Sequence, residues 1–149
     1  MTQAEVRRQA RKLLEESASW LFENGWTKNA MWRDSEGDAI EVEVDQETNI
    51  SVPMKPGLGA KPESACMLGS IHLNACSYPE VSDAELLLAQ YIQQKLLADG
   101  TPLPVEWGPY DGIDAFNDHP ETSLDDVIDA MTCAAEMELE DGSPERDSR

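Results

Sequence analysis

The sequence predicts an α+β domain, mainly α, with about four helices and a small antiparallel β-meander inserted after the first helix. Three observations predict it. Apolar residues recur at helical spacing in capped segments, the period drops to two between Trp26 and Val52, and Pro- and Gly-rich stretches separate the blocks. A length of 149 residues fits one domain, read here as an acidic globule over 1–139 with a flexible tail at 140–149.

The first helix follows from a capping box, Thr2 with Glu5 three residues later. Val6, Ala10, Leu13, Leu14, Ser17 and Leu21 then recur on one face until Gly25 supplies a stop. After Trp26 the alternation Ile40, Val42, Val44 against Glu41 and Glu43, with Ile50 and Val52 beyond a polar turn, predicts the meander. A first strand over about 28–33 would turn either Met31 or Trp32 to the apolar side. The stretch from Pro53 to Pro62, with three Pro and two Gly, predicts a loop free to move.

Residues Glu63 to Cys76 predict a short buried helix striped by Leu68, Ile71 and Ala75, with Gly69 admitting a close backbone and Tyr78-Pro79 ending it. A second capping box, Ser82 with Glu85, opens a helix through Leu88, Ala89, Ile92 and Leu96, which Gly100 terminates. Thr101 to Asp114 is a long Pro-bearing loop anchored by Trp107 and Tyr110. Ser123, with Asp125 and Asp126 in the first turn where the helix dipole favours anions, starts a last helix through Val127, Met131, Ala135 and Leu139.

Charge narrows the function classes. Residues 1–33 carry six basic and four acidic side chains, whereas the remaining 116 carry five basic and 26 acidic, so the net charge of −19 belongs to the later part. Between Leu96 and Glu145 there are fourteen Asp and Glu and not one Lys or Arg. Such a surface repels nucleic acid and anionic lipid and attracts basic proteins. Arg7, Arg8, Arg11 and Lys12, the one basic cluster, are best used in docking onto acidic groups. No apolar stretch approaches the roughly 18 residues of a membrane span, and no signal-peptide core is visible, so a cytoplasmic protein is expected.

Cys66, Cys76 and Cys133 match neither a metal knuckle nor a disulfide framework, which fits a reducing compartment. Cys66, His72 and Cys76 share a segment, yet Cys66 and His72 are six residues apart and would point roughly 120° away from each other on a helix, so no zinc site is expected. The carboxylates Asp111, Asp114, Asp118, Glu121, Asp125, Asp126 and Asp129 are dense, but no window has the ligand order of a calcium loop, and no cofactor signature is present. Trp20, Trp26, Trp32 and Trp107 read as core fillers whose indole N–H groups find carbonyls.

Gly25-Trp26 after the first helix, the turn from Asp34 to Gly37, Cys66-Met67-Leu68-Gly69-Ser70-Ile71, and Phe116-Asn117-Asp118 before a Val127-bearing helix occur in an order that resembles a family of small proteins of unknown function from actinobacteria and their phages. The likeness covers most of residues 10–136, with Ser70 where Ala is usual. It implies a bacterial or phage accessory protein and no particular activity.

The function expected from these features is that of a non-enzymatic acidic interaction protein. Asp118, Asp125, Asp126, Asp129 and Glu136 would meet a basic protein surface, in the manner of a decoy for a nucleic-acid groove. Direct nucleic-acid binding is not expected, nor is membrane binding. The alternative is a cysteine-dependent hydrolase or transferase in which Cys66 is the nucleophile, His119 the base and Asn117 or Asp118 the orienter. The plain reading of Asn117-Asp118 is an Asx-type turn before the last helix.

Overall fold

Helix α1 (Gln3–Asn24) begins at the expected capping box, with Thr2 Oγ1 accepting the Glu5 N–H at 3.1 Å, and ends where the Gly25 N–H closes onto the Leu21 carbonyl. The computed structural model describes residues 2–54 and 61–138. One face of α1 buries Ala10, Leu13, Leu14, Ser17, Ala18 and Leu21 against α2 (Met67–Asn74), α3 (Tyr78–Ala98) and α5 (Leu124–Glu136). Leu13, Leu14 and Leu21 face Leu87, Leu88, Ile92, Val127 and Met131 in one core, and each such side chain contributes roughly 1.5–3 kcal/mol on leaving water.

The β region after α1 is not a single meander. It is two separate antiparallel pairs: β1 (Trp32–Arg33) with β4 (Ser64–Ala65), and β2 (Val42–Val44) with β3 (Ser51–Pro53). The strand expected from 28 shrinks to Trp32–Arg33 because Asn29 takes a left-handed φ of +64° and turns the chain away. Trp32 is the residue turned inward; it is fully buried, and Met31 is half-buried.

The helix expected over 63–76 starts later. Ala65 is held extended on both sides, its N–H by the Gly25 carbonyl and its carbonyl by the Thr27 N–H, so Cys66 becomes the N-cap of α2. Tyr78-Pro79 does not end a helix but opens α3, since a proline in a first turn lacks only an N–H that has no helical partner. The capping box at Ser82 therefore does not form: Ser82 Oγ pairs with the Tyr110 hydroxyl, and Asp83 binds Arg7.

Among the described residues there are five helices, the additional one being α4 (Ile113–Asp118), which takes the end of the expected loop and the whole of the expected Asx turn. Helix α5 has the expected cap at Ser123 and ends at Glu136; Leu139, the proposed tail at 140–149 and most of the Pro-rich loop, 55–60, lie outside the described residues.

Candidate functional site

The segments singled out by sequence meet at one buried side chain. Asn117 is fully buried, and its Oδ1 accepts the Trp26 indole N–H at 2.8 Å and the Met67 backbone N–H at 3.0 Å. Its Nδ2 donates to the Thr27 carbonyl and to Asp118 Oδ1, each at 3.0 Å. Met67 is the first residue of α2, so Asn117 supplies an acceptor to a helix-start N–H that has none within the helix. The Gly25-Trp26 corner, the start of α2 and the end of α4 are thereby one hydrogen-bonded unit. The expected Asx turn is corrected on this point: Asn117 satisfies donors 50 and 91 residues away rather than local ones.

Gly69 and Ser70 complete the unit. A Cβ on Gly69 would lie 2.2 Å from the Met31 carbonyl oxygen, and the buried Trp32 indole donates to the Gly69 carbonyl at 2.9 Å. Ser70, buried where the resemblance has alanine, donates its hydroxyl to the Met67 carbonyl.

Beside this unit lies a cleft of about 340 Å³ lined by Asn29, Ala30, Met31, Cys66, Asp114 and Asp118. The buried Cys66 sulfur accepts the Gly69 N–H at 3.3 Å as a helix cap. Burial pushes its thiol up to about 11; the charges of Asp114 and Asp118 add to that, against the lowering effect of the Gly69 N–H. Such a thiol is protonated at neutral pH and a poor nucleophile. Asp118 Oδ1 accepts the Asn29 N–H at 2.8 Å. Asp114, on the outer side of α4, has its carboxyl raised first by partial desolvation and then by the negative charges of Asp118 and Glu85.

The residues of a cysteine-nucleophile arrangement are not assembled. His119 is exposed, its Nδ1 accepts the Glu121 N–H at 3.1 Å, and no hydrogen bond joins it to Cys66 among the described residues. Asn117 has both ends of its amide engaged elsewhere. Cys66 and His72 share a segment as expected, yet His72 has both ring nitrogens occupied, by the Ser51 N–H at 2.9 Å and by Glu85 at 3.0 Å, while Cys76 is exposed.

The binding residues expected from sequence divide into two sets. Asp125, Asp129 and Glu136 are exposed along α5, at spacings that keep them on one side of the helix, and no ion pair reaches them among the described residues. Asp126 is exposed but caps the helix; the Ser123 backbone N–H on its carboxylate, and then the Ser123 hydroxyl, hold its pKa below the ordinary carboxylate range. Asp118 belongs to the buried unit and the cleft instead.

The basic cluster on α1 is partly absorbed by the fold. Arg7, nearly buried, pairs with Asp83 at 2.9 Å, and Arg11 caps the end of α5 through the carbonyls of Ala135 at 2.8 Å and Met137 at 2.6 Å. Arg8 and Lys12 remain exposed beside a groove of about 450 Å³. Docking onto an acidic group is met at Arg7, but which of the four residues takes which role has no signal in the sequence.

Among the described residues, the carboxylates of Asp34, Glu36 and Asp38 lie within 4.8 Å of one another, but Asp34 Oδ1 already accepts the N–H groups of Glu36 and Asp38, so the group closes its own turn. No helix among the described residues is long and apolar enough to cross a membrane. No curated protein and no solved structure matches the chain. Its length from the first helix through α5 does match a family model, over residues 1–137, and the chain belongs to that family of unknown function (DUF6197).

Proposed function

We propose that this protein is a non-enzymatic acidic interaction protein of the cytoplasm, and that the outer side of α5 engages a basic surface on a protein partner. The observation that carries the reading is the exposed series Asp125, Asp129 and Glu136, unpaired among the described residues, on a helix whose opposite side is anchored in the core by Val127, Met131 and Ala134. Fixed, unneutralised carboxylates of this kind attract Lys and Arg over distances of about a Debye length, and they compete for the same groups that bind phosphate. In a bacterial or phage setting, the use that follows is occupation of a nucleic-acid-binding groove.

The high thiol pKa of Cys66 and the engagement of Asn117 favour this reading over catalysis at Cys66. The test is a capture experiment from bacterial lysate at low and high ionic strength, comparing the natural chain with a variant carrying Asp125→Lys, Asp129→Lys and Glu136→Lys. Asp126 is kept, because its reversal would remove a helix cap along with a charge. Basic proteins captured at low salt by the natural chain and lost from the variant support the reading; an identical captured set from both ends it.

A further inference from the structure

Beyond Ile40, whose N–H is taken by the Trp32 carbonyl at 2.9 Å, the outer edge of β2 is unoccupied among the described residues and has a definite chemical character. In the β2–β3 pair Val42 lies opposite Pro53, Glu43 opposite Val52 and Val44 opposite Ser51. The Met54 N–H bonds to the Glu41 carbonyl at 2.8 Å and the Asp45 N–H to the Ile50 carbonyl at 3.0 Å. Antiparallel pairs alternate between bonded and non-bonded, so Glu43 bonds inward to β3, whereas the N–H and C=O groups of Val42 and Val44 point away from it. Pro53 agrees with that register, since it sits where an N–H would face outward.

Both valines are 44% exposed, and no protein group takes their outward N–H groups among the described residues. The Val44 carbonyl has one long contact, 3.4 Å, from the Gln46 amide. By strand alternation Val42 and Val44 share one face, and Glu41 and Glu43 share the other. From Asp34 to Met54 there are seven acidic residues and no Lys or Arg. The edge therefore offers main-chain partners and two apolar side chains, with the carboxylates of Glu41 and Glu43 on the opposite face of an acidic segment.

We propose that the outer edge of β2 is a docking strand for an extended, basic segment of a protein partner, which adds to the sheet as a third strand. Its main chain bonds to Val42 and Val44, alternate apolar side chains cover the two valines, and Lys or Arg side chains meet Glu41 and Glu43. A second copy of this chain does not fit, because pairing two β2 edges sets Glu41 and Glu43 against their own kind. The inference rests on the reading above for the partner's positive charge, but not for the surface it uses.

The probe is a synthetic peptide of about eight residues that alternates lysine and valine, enough to cover one short strand, titrated into the isotope-labelled full chain. The expected result is shift changes and slowed exchange at the Val42 and Val44 amides. Val44→Pro removes an outward N–H without touching a bond to β3, and it should weaken binding about tenfold with the hairpin signals retained. If proline disturbs the hairpin, the doubly substituted Val42→Lys and Val44→Lys chain serves instead and should show the same loss. A peptide of equal composition with its lysines and valines in separate blocks should bind at least about tenfold more weakly, as charge alone cannot form the added strand.

Equal binding of the block peptide overturns the inference, and so does undiminished binding by both edge variants. Sedimentation showing self-association that the edge substitutions abolish overturns it too, in favour of a second copy. Shifts confined to α5 overturn it while leaving the acidic-face reading intact. Reversal of Asp125, Asp129 and Glu136, which tests that reading, should leave peptide binding at β2 within about twofold after correction for net charge.

Discussion

The indole N–H of Trp26 and the carboxamide oxygen of Asn117 meet at 2.8 Å across 91 residues of chain, and that same oxygen holds the first N–H of α2. Replacing Asn117 with Leu leaves the Trp26 and Met67 N–H groups and the Thr27 carbonyl without this partner. Desolvation of such groups costs roughly 1–3 kcal/mol each, so a loss of about 3–5 kcal/mol is expected in urea unfolding. Trp26→Phe removes a single bond and should cost about a third as much. Similar losses for the two variants would show that Asn117 does not link the elements.

Gly69→Ala tests the close approach of α2 to the 29–31 segment. The added carbon would stand 2.2 Å from the Met31 carbonyl oxygen, a backbone atom that cannot move without shifting β1. Overpacking of this kind costs roughly 1–3 kcal/mol or more, despite the gain in helix propensity that alanine brings. Thermal unfolding should fall by several degrees; an unchanged midpoint would mean that the segment yields freely.

Cys66 should be inert to a thiol reagent at pH 8 in the folded chain and react only on unfolding, while the exposed Cys76 reacts at once. The thiol is raised from near 9 to about 11 in the folded state, so the folded chain holds that proton more tightly than the unfolded one. The resulting stability is in place below about pH 9 and is lost as pH rises through about 11, a decline of roughly 2–3 kcal/mol. Cys66→Ser keeps an N-cap oxygen and should remove that alkaline decline; the same pH dependence in both chains would contradict the assignment.

Asp114 behaves in the opposite sense to a salt-bridged carboxylate. Its folded pKa is raised, first by desolvation and then by Asp118 and Glu85, so ionisation above the folded value costs stability, and that cost vanishes below the unfolded value near 3.8. Asp114→Asn should therefore stabilise the chain at pH 7, by less than about 1 kcal/mol given the solvent screening at its exposed position, and have no effect near pH 3. A destabilised variant at pH 7 would point to an attractive contact in place of the repulsion.

Local rules made α1 and α5 legible, because each has its own capping box and its own apolar stripe, Leu13–Leu14–Leu21 in one and Val127–Met131 in the other. Where two local signals compete, local rules alone do not decide between them. Pro79 reads locally as a stop and Ser82 as a cap, but packing of Val81 and Ala84 into the core favours continuing the helix back to Tyr78, which frees Ser82 and Asp83 for Tyr110 and Arg7. The segments that form the buried unit were each visible as motifs. Their meeting was not, since nothing local to Asn117 states that its partners lie 50 and 91 residues away.

Composition, periodicity and capping chemistry settled by themselves that this is a mainly helical α+β chain with a small β insertion and a heavily acidic later part, because those properties depend on neighbours within a turn or two. The tertiary structure alone decided which of the like-charged residues are taken up by the fold and which are left exposed. Arg7 and Arg11 are taken up by Asp83 and the end of α5, and Asp118 by Asn29 and Asn117, whereas Asp125, Asp129 and Glu136 face outward. The reason is physical: a charged group's role is fixed by what approaches it in space, and a side chain carries no mark in the sequence of the groups that folding will bring beside it.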